Sequence, residues 1–219
     1  MPRILVVNPN SSAGVTRALD QSLNAIRRLS TVTLDCVSIE ACPPGIETQA
    51  DIEFASARFA ELVRDSDADA FVTACFSDPG LYLARELTAR PVVGIAESAF
   101  RYALNLGYSF GIISILDQSV PRHLRAVRQH GFGDRLANDR AINVHMADLD
   151  GDEVIERIVA VGETLRDTDG AQSIILGCAG MAKYRAGAEE RLGIPVIDPT
   201  QAAVVRLISM MMLSHTQTA

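Results

Sequence analysis

Short apolar runs alternate with segments of helical period along the whole chain. Runs at 3–7, 31–37, 69–74, 91–95, 109–115, 140–145, 172–177 and 194–197, several of them rich in Val and Ile, read as strands. Several are nearly continuous in apolar residues, as strands covered on both faces are. Between them, Ile52, Ala55, Phe59 and Leu62 recur at helical spacing and predict one apolar helix face; Val154, Ile158, Val161 and Leu165 predict another. Val120, Leu124 and Val127 predict a third helix, with Ser119 as its expected N-cap and Pro121 in its first turn. Alternating strands and helices imply parallel sheets joined by right-handed crossovers.

The pattern also repeats, after roughly a hundred residues. The run Phe71-Val72-Thr73-Ala74-Cys75 is followed by one helix and then Pro91-Val92-Val93-Gly94-Ile95. The run Ile174-Ile175-Leu176-Gly177-Cys178 is followed by one helix and then Ile194-Pro195-Val196-Ile197, with offsets that agree within one residue. Leu5-Val6-Val7-Asn8 likewise resembles Gly111-Ile112-Ile113-Ser114. The expected fold is α/β, with two pseudo-symmetric domains, each a four-stranded parallel sheet flanked by helices. Residues 1–97 plus 200–219 form the first domain and 98–199 the second, the last helix returning to the first half. The competing reading is a single eight-stranded sheet.

Composition narrows the partners. The 219 residues are 48% hydrophobic and 21% charged, enough apolar content for an ordinary core, and the net charge is −7. With no Lys- or Arg-rich run, neither nucleic acid nor an anionic membrane is an expected partner. The apolar stretch after Met1-Pro2-Arg3 is too short for a signal peptide, and no run of about 18 uncharged apolar residues exists to span a bilayer. Four cysteines without a C-x-x-C pair fit a cytoplasmic chain with reduced thiols and no metal site. There is no P-loop and no G-x-G-x-x-G, so no nucleotide cofactor is implied. The final helix carries Leu207, Ile208, Met210, Met211, Met212 and Leu213, apolar over much of its circumference, and fits core or a homo-oligomer contact.

Candidate chemistry follows from position. In parallel sheets, ligands bind beyond the carboxyl ends of the strands. Asn8, Cys75, Ser114 and Cys178 all fall at such ends. A thiol there, at the start of a helix, is expected to be stabilised as thiolate. Ser77, Gly80, Ala179 and Gly180 are small turn residues whose backbone N–H groups can hold a carboxylate or an enolate oxygen. A single strand-end cysteine usually just packs; two at matched positions of a repeat point to function. Cys36 and Cys42 have no such position and read as structural. His123, His130, His145 and His215 read as surface residues, which argues against a Cys-His hydrolase.

The segments Ile4-Leu5-Val6-Val7-Asn8-Pro9-Asn10-Ser11-Ser12, Ala74-Cys75-Phe76-Ser77-Asp78-Pro79-Gly80-Leu81 and Leu176-Gly177-Cys178-Ala179-Gly180-Met181 resemble the Asp/Glu/hydantoin racemase superfamily, most closely its hydantoin and allantoin racemases. The resemblance spans nearly the whole chain. It implies two α/β domains with the active site between them and cofactor-independent racemisation of a small molecule. Carried over by position, Cys75 and Cys178 match the two catalytic thiols, and Asn8, Ser77 and Ser114 match substrate-contacting groups. The expected reaction is two-base proton transfer on a 5-substituted hydantoin or allantoin. A maleate-type cis–trans isomerase, an amino-acid racemase and a two-lobed metabolite-binding protein are the alternatives.

Overall fold

The structure, a computed structural model, describes residues 1–151 and 153–215. In chain order the elements are β1 (Arg3–Asn8), α1 (Ala13–Ser22), α2 (Asn24–Leu29), β2 (Thr33–Ser38), α3 (Gln49–Asp65), β3 (Ala70–Thr73), α4 (Leu81–Leu87), β4 (Val92–Gly94) and α5 (Ile95–Ala103). They continue with β5 (Phe110–Ser114), α6 (Val120–Gln129), β6 (Leu136–Ala141), α7 (Val154–Asp167), β7 (Ser173–Leu176), α8 (Arg185–Leu192), β8 (Val196–Ile197) and α9 (Pro199–His215), with short 3-10 turns between several of them.

Two four-stranded parallel sheets result. Their orders are β2-β1-β3-β4 and β6-β5-β7-β8, so one topology occurs twice. This bears out the expected fold class and removes the single eight-stranded sheet. The chain divides into two compact units, Met1–Ser98 with the segment from Thr200 onward, and Ala99–Pro199. The side chain of His215 and residues 216–219, assigned above to the first domain, lie outside the described residues.

The central strands are the apolar ones because both their faces are covered. Every residue of β3, β5 and β7 is buried, as are the short edge strands β4 and β8, whereas the edge strands β2 and β6 are largely half-exposed. In the first unit α3 lays Ile52, Ala55, Phe59 and Val63 on Val7 and Phe71. Its Thr48–Asp51 capping box satisfies two otherwise orphaned N–H donors at its start. In the second unit α7 lays Val154, Ile158 and Leu165 on Ile113, Ile174 and Leu176. Phe59 is fully buried, and its truncation to Ala costs about 3–5 kcal/mol. The last helix, α9, is tied to the first unit: Gln201 donates to the Ser22 carbonyl and Arg206 to Glu97.

Three expectations need correction. The sixth strand runs over Leu136–Ala141 rather than 140–145. An edge strand needs few apolar residues, so the polar sequence Leu-Ala-Asn-Asp-Arg-Ala pairs with β5, with one irregularity between Phe110 and Gly111. The apolar Ile142 and Val144 follow outside the strand, on either side of Asn143 at φ 53°, and donate to the carbonyls of Ser114 and Ile115 at 2.9 Å each. Second, Ser119 takes the expected N-cap position of α6 but makes no side-chain capping bond: its φ and ψ are already helical and its hydroxyl accepts from Arg122 instead. Third, His123 is not a surface residue but 3% exposed, for reasons given below.

Candidate active site

In the first unit the chain leaves β3 and continues the parallel ladder for one residue, Ala74 N–H donating to the Val7 carbonyl at 2.8 Å. Cys75, half-buried, then opens a tight turn closed by Asp78 N–H on the Cys75 carbonyl at 2.9 Å. The buried Thr73 hydroxyl donates to the Pro79 carbonyl at 3.0 Å and pins the far side of the turn. Asp78 has φ 44° and Gly80 φ 71°. Glycine is required at 80 on two counts: its left-handed backbone, and a Cβ there would stand 2.5 Å from the Ser56 carbonyl of α3. Cys75 is therefore not at the first turn of α4, as expected, but a full double turn ahead of it. Ser77 lies half-buried in the middle of that turn.

Asp78 joins this turn to α5. Its two carboxylate oxygens accept from Ala96 N–H and Glu97 N–H, both at 2.9 Å. Desolvation pushes its pKa up to about 7, against the lowering effect of those two N–H groups. Glu97 behind it is 1% exposed and shares one oxygen between Arg85 of α4 at 2.6 Å and Arg206 of α9 at 2.7 Å. Burial raises the Glu97 pKa, but the charges of Arg206 and Arg85 outweigh it and the net shift is downward.

In the second unit Gly177 N–H continues the ladder onto the Ile113 carbonyl at 2.8 Å, and Cys178 follows, 6% exposed. Cys178 is the N-cap of the 3-10 helix Ala179–Tyr184, and its Sγ accepts from Gly180 N–H at 3.4 Å. Met146 Sδ lies 4.0 Å from the same sulfur. Met146 and Leu149 come from the loop after β6, which Tyr184 holds by donating to the Leu149 carbonyl at 2.6 Å. A Cβ on Gly180 would meet Leu149 at 3.0 Å and Met146 at 3.4 Å, so the small residue lets this loop close down beside the thiol.

The two polar strand-end residues occupy matched places. Asn8 ends β1, beside β3, and Ser114 ends β5, beside β7. Both are fully buried. The Asn8 amide donates to Asn10 Oδ1 at 2.8 Å, Thr16 Oγ1 at 3.1 Å and the Ser12 carbonyl at 3.2 Å, so its donors hold the turn into α1. Ser114 donates to Asp139 Oδ1 and lies 2.9 Å from His123 Nδ1, which is itself 2.9 Å from Asp139 Oδ2. Serine and aspartate meet the same ring nitrogen, so this is not the relay of a serine hydrolase, which uses one nitrogen for each. The first unit thus gathers Cys75, Ser77, Gly80 and Asn8, and the second Cys178, Ala179, Gly180 and Ser114.

The other thiols differ in kind. Burial, with Asp20 adding to it, pushes Cys36 up to about 12, and burial also raises Cys42. Both stay protonated at neutral pH. Among the described residues no group of three or more His, Cys, Asp or Glu is placed to hold a metal ion, and no helix is long and apolar enough to cross a membrane.

A family model described as Asp/Glu/Hydantoin racemase matches residues 4–207. The chain belongs to the Asp/Glu/hydantoin racemase family. A hydantoin racemase from Paenarthrobacter aurescens is 38% identical over 208 residues, covering 92% of this chain and 87% of that protein. An allantoin racemase from Klebsiella pneumoniae superposes with a TM-score of 0.91 at 32% identity, over 98% of this chain and 89% of that one. An allantoin racemase from Pseudomonas fluorescens gives the same TM-score at 29% identity, over 97% and 92%.

Sequence reasoning singles out neither Asp78, in the Cys75 turn, nor His123 and Asp139, which meet Ser114. Asp78 was quoted only as part of a motif, although Asp-Pro-Gly after a strand end is a turn signal with a carboxylate in it. His123 stands three residues after Val120 and four before Val127, on the predicted apolar face of α6, and that spacing announced its burial. Nothing in the polar β6 sequence singled out Asp139.

Proposed function

We propose that the protein is a cofactor-independent racemase of 5-substituted hydantoins or allantoin, in which Cys75 and Cys178 exchange the proton of the stereocentre. The observation that carries this reading is the duplicated placement: one thiol in each unit, directly beyond the same strand of the same sheet order. The relatives named for hydantoin and allantoin racemisation support the substrate class.

Racemisation needs one group for each face of the carbon, and the reading assigns one thiol to each. One, as thiolate, takes the proton from C5; the electron pair moves onto the adjacent carbonyl oxygen as an enolate. The other, as thiol, returns a proton to the opposite face, and the roles exchange for the other enantiomer. The two thiols titrate as a pair in the working site. Backbone N–H groups of the two turns supply donors for the enolate. Ser77, Gly80, Ala179 and Gly180 border the substrate in this reading. Asn8 contributes through the turn into α1 that its amide holds, and Ser114, engaged by His123 and Asp139, through the end of β5.

The same reading places the enzyme in the cytoplasm as a homo-oligomer. Met212 and Leu213 of α9, each 67% exposed, offer apolar surface for association, which light scattering reads directly. The deciding experiment follows optical rotation of a panel of chiral hydantoins, allantoin, aspartate and glutamate. Racemisation of the hydantoins or allantoin is expected. Turnover confined to the amino acids refutes the substrate class.

A further inference from the structure

The Asp78 carboxylate is a costly feature that the racemisation mechanism leaves unused. Its backbone stands at φ 44°, in the left-handed region that residues other than glycine seldom occupy. Its carboxylate bridges from the thiol turn to two consecutive N–H groups at the start of α5. Room for it is made by Gly94, the last residue of β4: a Cβ there would stand 2.1 Å from the Asp78 carboxyl carbon. The turn it anchors is the one whose first hydrogen bond joins Asp78 N–H to the Cys75 carbonyl. A positive φ, a double helix-end contact and a glycine-cleared niche converge on one side chain three residues from the thiol.

We propose that Asp78 is a positioning residue, whose carboxylate locks the Cys75 turn onto the start of α5 and so sets the direction in which the thiol points. The proposal rests on Cys75 acting as an acid–base group. The charged groups around Asp78 are Glu97 of α5, which opposes its ionisation, and Arg85 of α4, which favours it; Arg206 of α9 reaches Glu97. Ionised Asp78 offers an accepting oxygen to each N–H, whereas the protonated acid carries a proton on one of those two oxygens. The grip on the turn therefore tightens as pH rises through about 7.

Stability runs the other way. The folded-state pKa lies above the usual carboxylate value, so the folded protein binds this proton more tightly than the unfolded chain does. Its stabilising effect is full in acid and is lost as pH rises through about 7. A group that destabilises the fold in the pH range where its contacts are complete fits positioning better than packing.

The test is peptide-resolved alkylation of Cys75 and Cys178 by iodoacetamide from pH 5.5 to 9, with thermal unfolding and racemisation kinetics, on the wild type, Asp78→Asn and Gly94→Ala. The second variant displaces the carboxylate without removing it and serves if the first fails to fold. Cys75 labelling in the wild type is expected to show an inflection near 7 that Asp78→Asn abolishes, with its rate at pH 8 changed about tenfold and Cys178 within about twofold of wild type. Racemisation is expected to lose kcat with KM little moved. The melting temperature of Asp78→Asn should gain on wild type as pH rises through 7. An unchanged Cys75 labelling profile in the variants overturns the proposal. A wild type that racemises no hydantoin but shows Asp78-dependent labelling refutes the racemase reading and upholds the positioning role.

Discussion

The Cys75 and Cys178 turns leave corresponding strands of two sheets with one topology, yet they hold their thiols by different means. Cys178 is nearly buried; its sulfur takes a backbone N–H from the short helix it caps, and Met146 stands against it. Cys75 is half-buried, stands ahead of a double turn rather than on a helix, and owes its setting to a left-handed aspartate tied to a different helix. One thiol is therefore followed directly by its own helix, and the other by a turn whose carboxylate is bonded to the start of a second helix. In the proposed two-thiol mechanism the two groups need not be chemically identical; each has only to be acid in one direction and base in the other. The duplicated sheet supplies the equivalence, and the turns supply the difference.

The largest expected effect breaks the pair itself. Cys75→Ser and Cys178→Ser should each lower racemisation by at least about a thousandfold. Each should still exchange the C5 proton for deuterium from one enantiomer only, and from opposite ones, as NMR in deuterated water would read. A single variant that racemises near the wild-type rate removes the two-thiol mechanism.

Next comes the support of the Cys75 side. Glu97→Ala leaves Arg85 and Arg206 without their shared partner and should cost about 3–5 kcal/mol. The Glu97 pKa is depressed in the folded state, so this contribution is present at neutral pH and lost as pH falls through its folded pKa. Denaturant midpoints of variant and wild type should therefore converge in acid; a gap that is constant with pH would refute the ionic account. Gly80→Ala, with φ 71° and a Cβ driven against the Ser56 carbonyl, should cost at least about 1–3 kcal/mol and disturb Cys75 labelling while leaving Cys178 alone.

The smallest effects sharpen the contrast. Met146→Ala opens the Cys178 side and should raise its alkylation rate by about three- to tenfold, with Cys75 unmoved. Cys36→Ser should leave racemisation within about twofold, because that thiol, pushed up to about 12, carries no charge at working pH. A large loss there would show that more than the strand-end thiols are involved.

Much of this was legible in the residues. Nearly continuous apolar runs marked β3, β5 and β7 because buried parallel strands have no polar face to show. The repeat put a cysteine beyond each matching strand before any coordinates did. What escaped was polar. β6 sits on an edge, where apolar content is not demanded, so its Asn-Asp-Arg sequence was passed over and the apolar Ile142 and Val144 drew the assignment four residues late. His123 was read by residue type instead of by its place on the α6 stripe. Asp78 needed partners at Ala96 and Glu97, a separation no local pattern encodes.

The sequence by itself determined the alternation of strands and helices, the duplication and the two strand-end thiols, because burial and backbone geometry act through near neighbours and leave a period behind. Tertiary structure alone decided that the Asp78 carboxylate meets the start of α5 and that Ser114 pairs with His123 and Asp139. Those outcomes rest on single hydrogen bonds between segments far apart in the chain, and such contacts impose no periodicity on either segment.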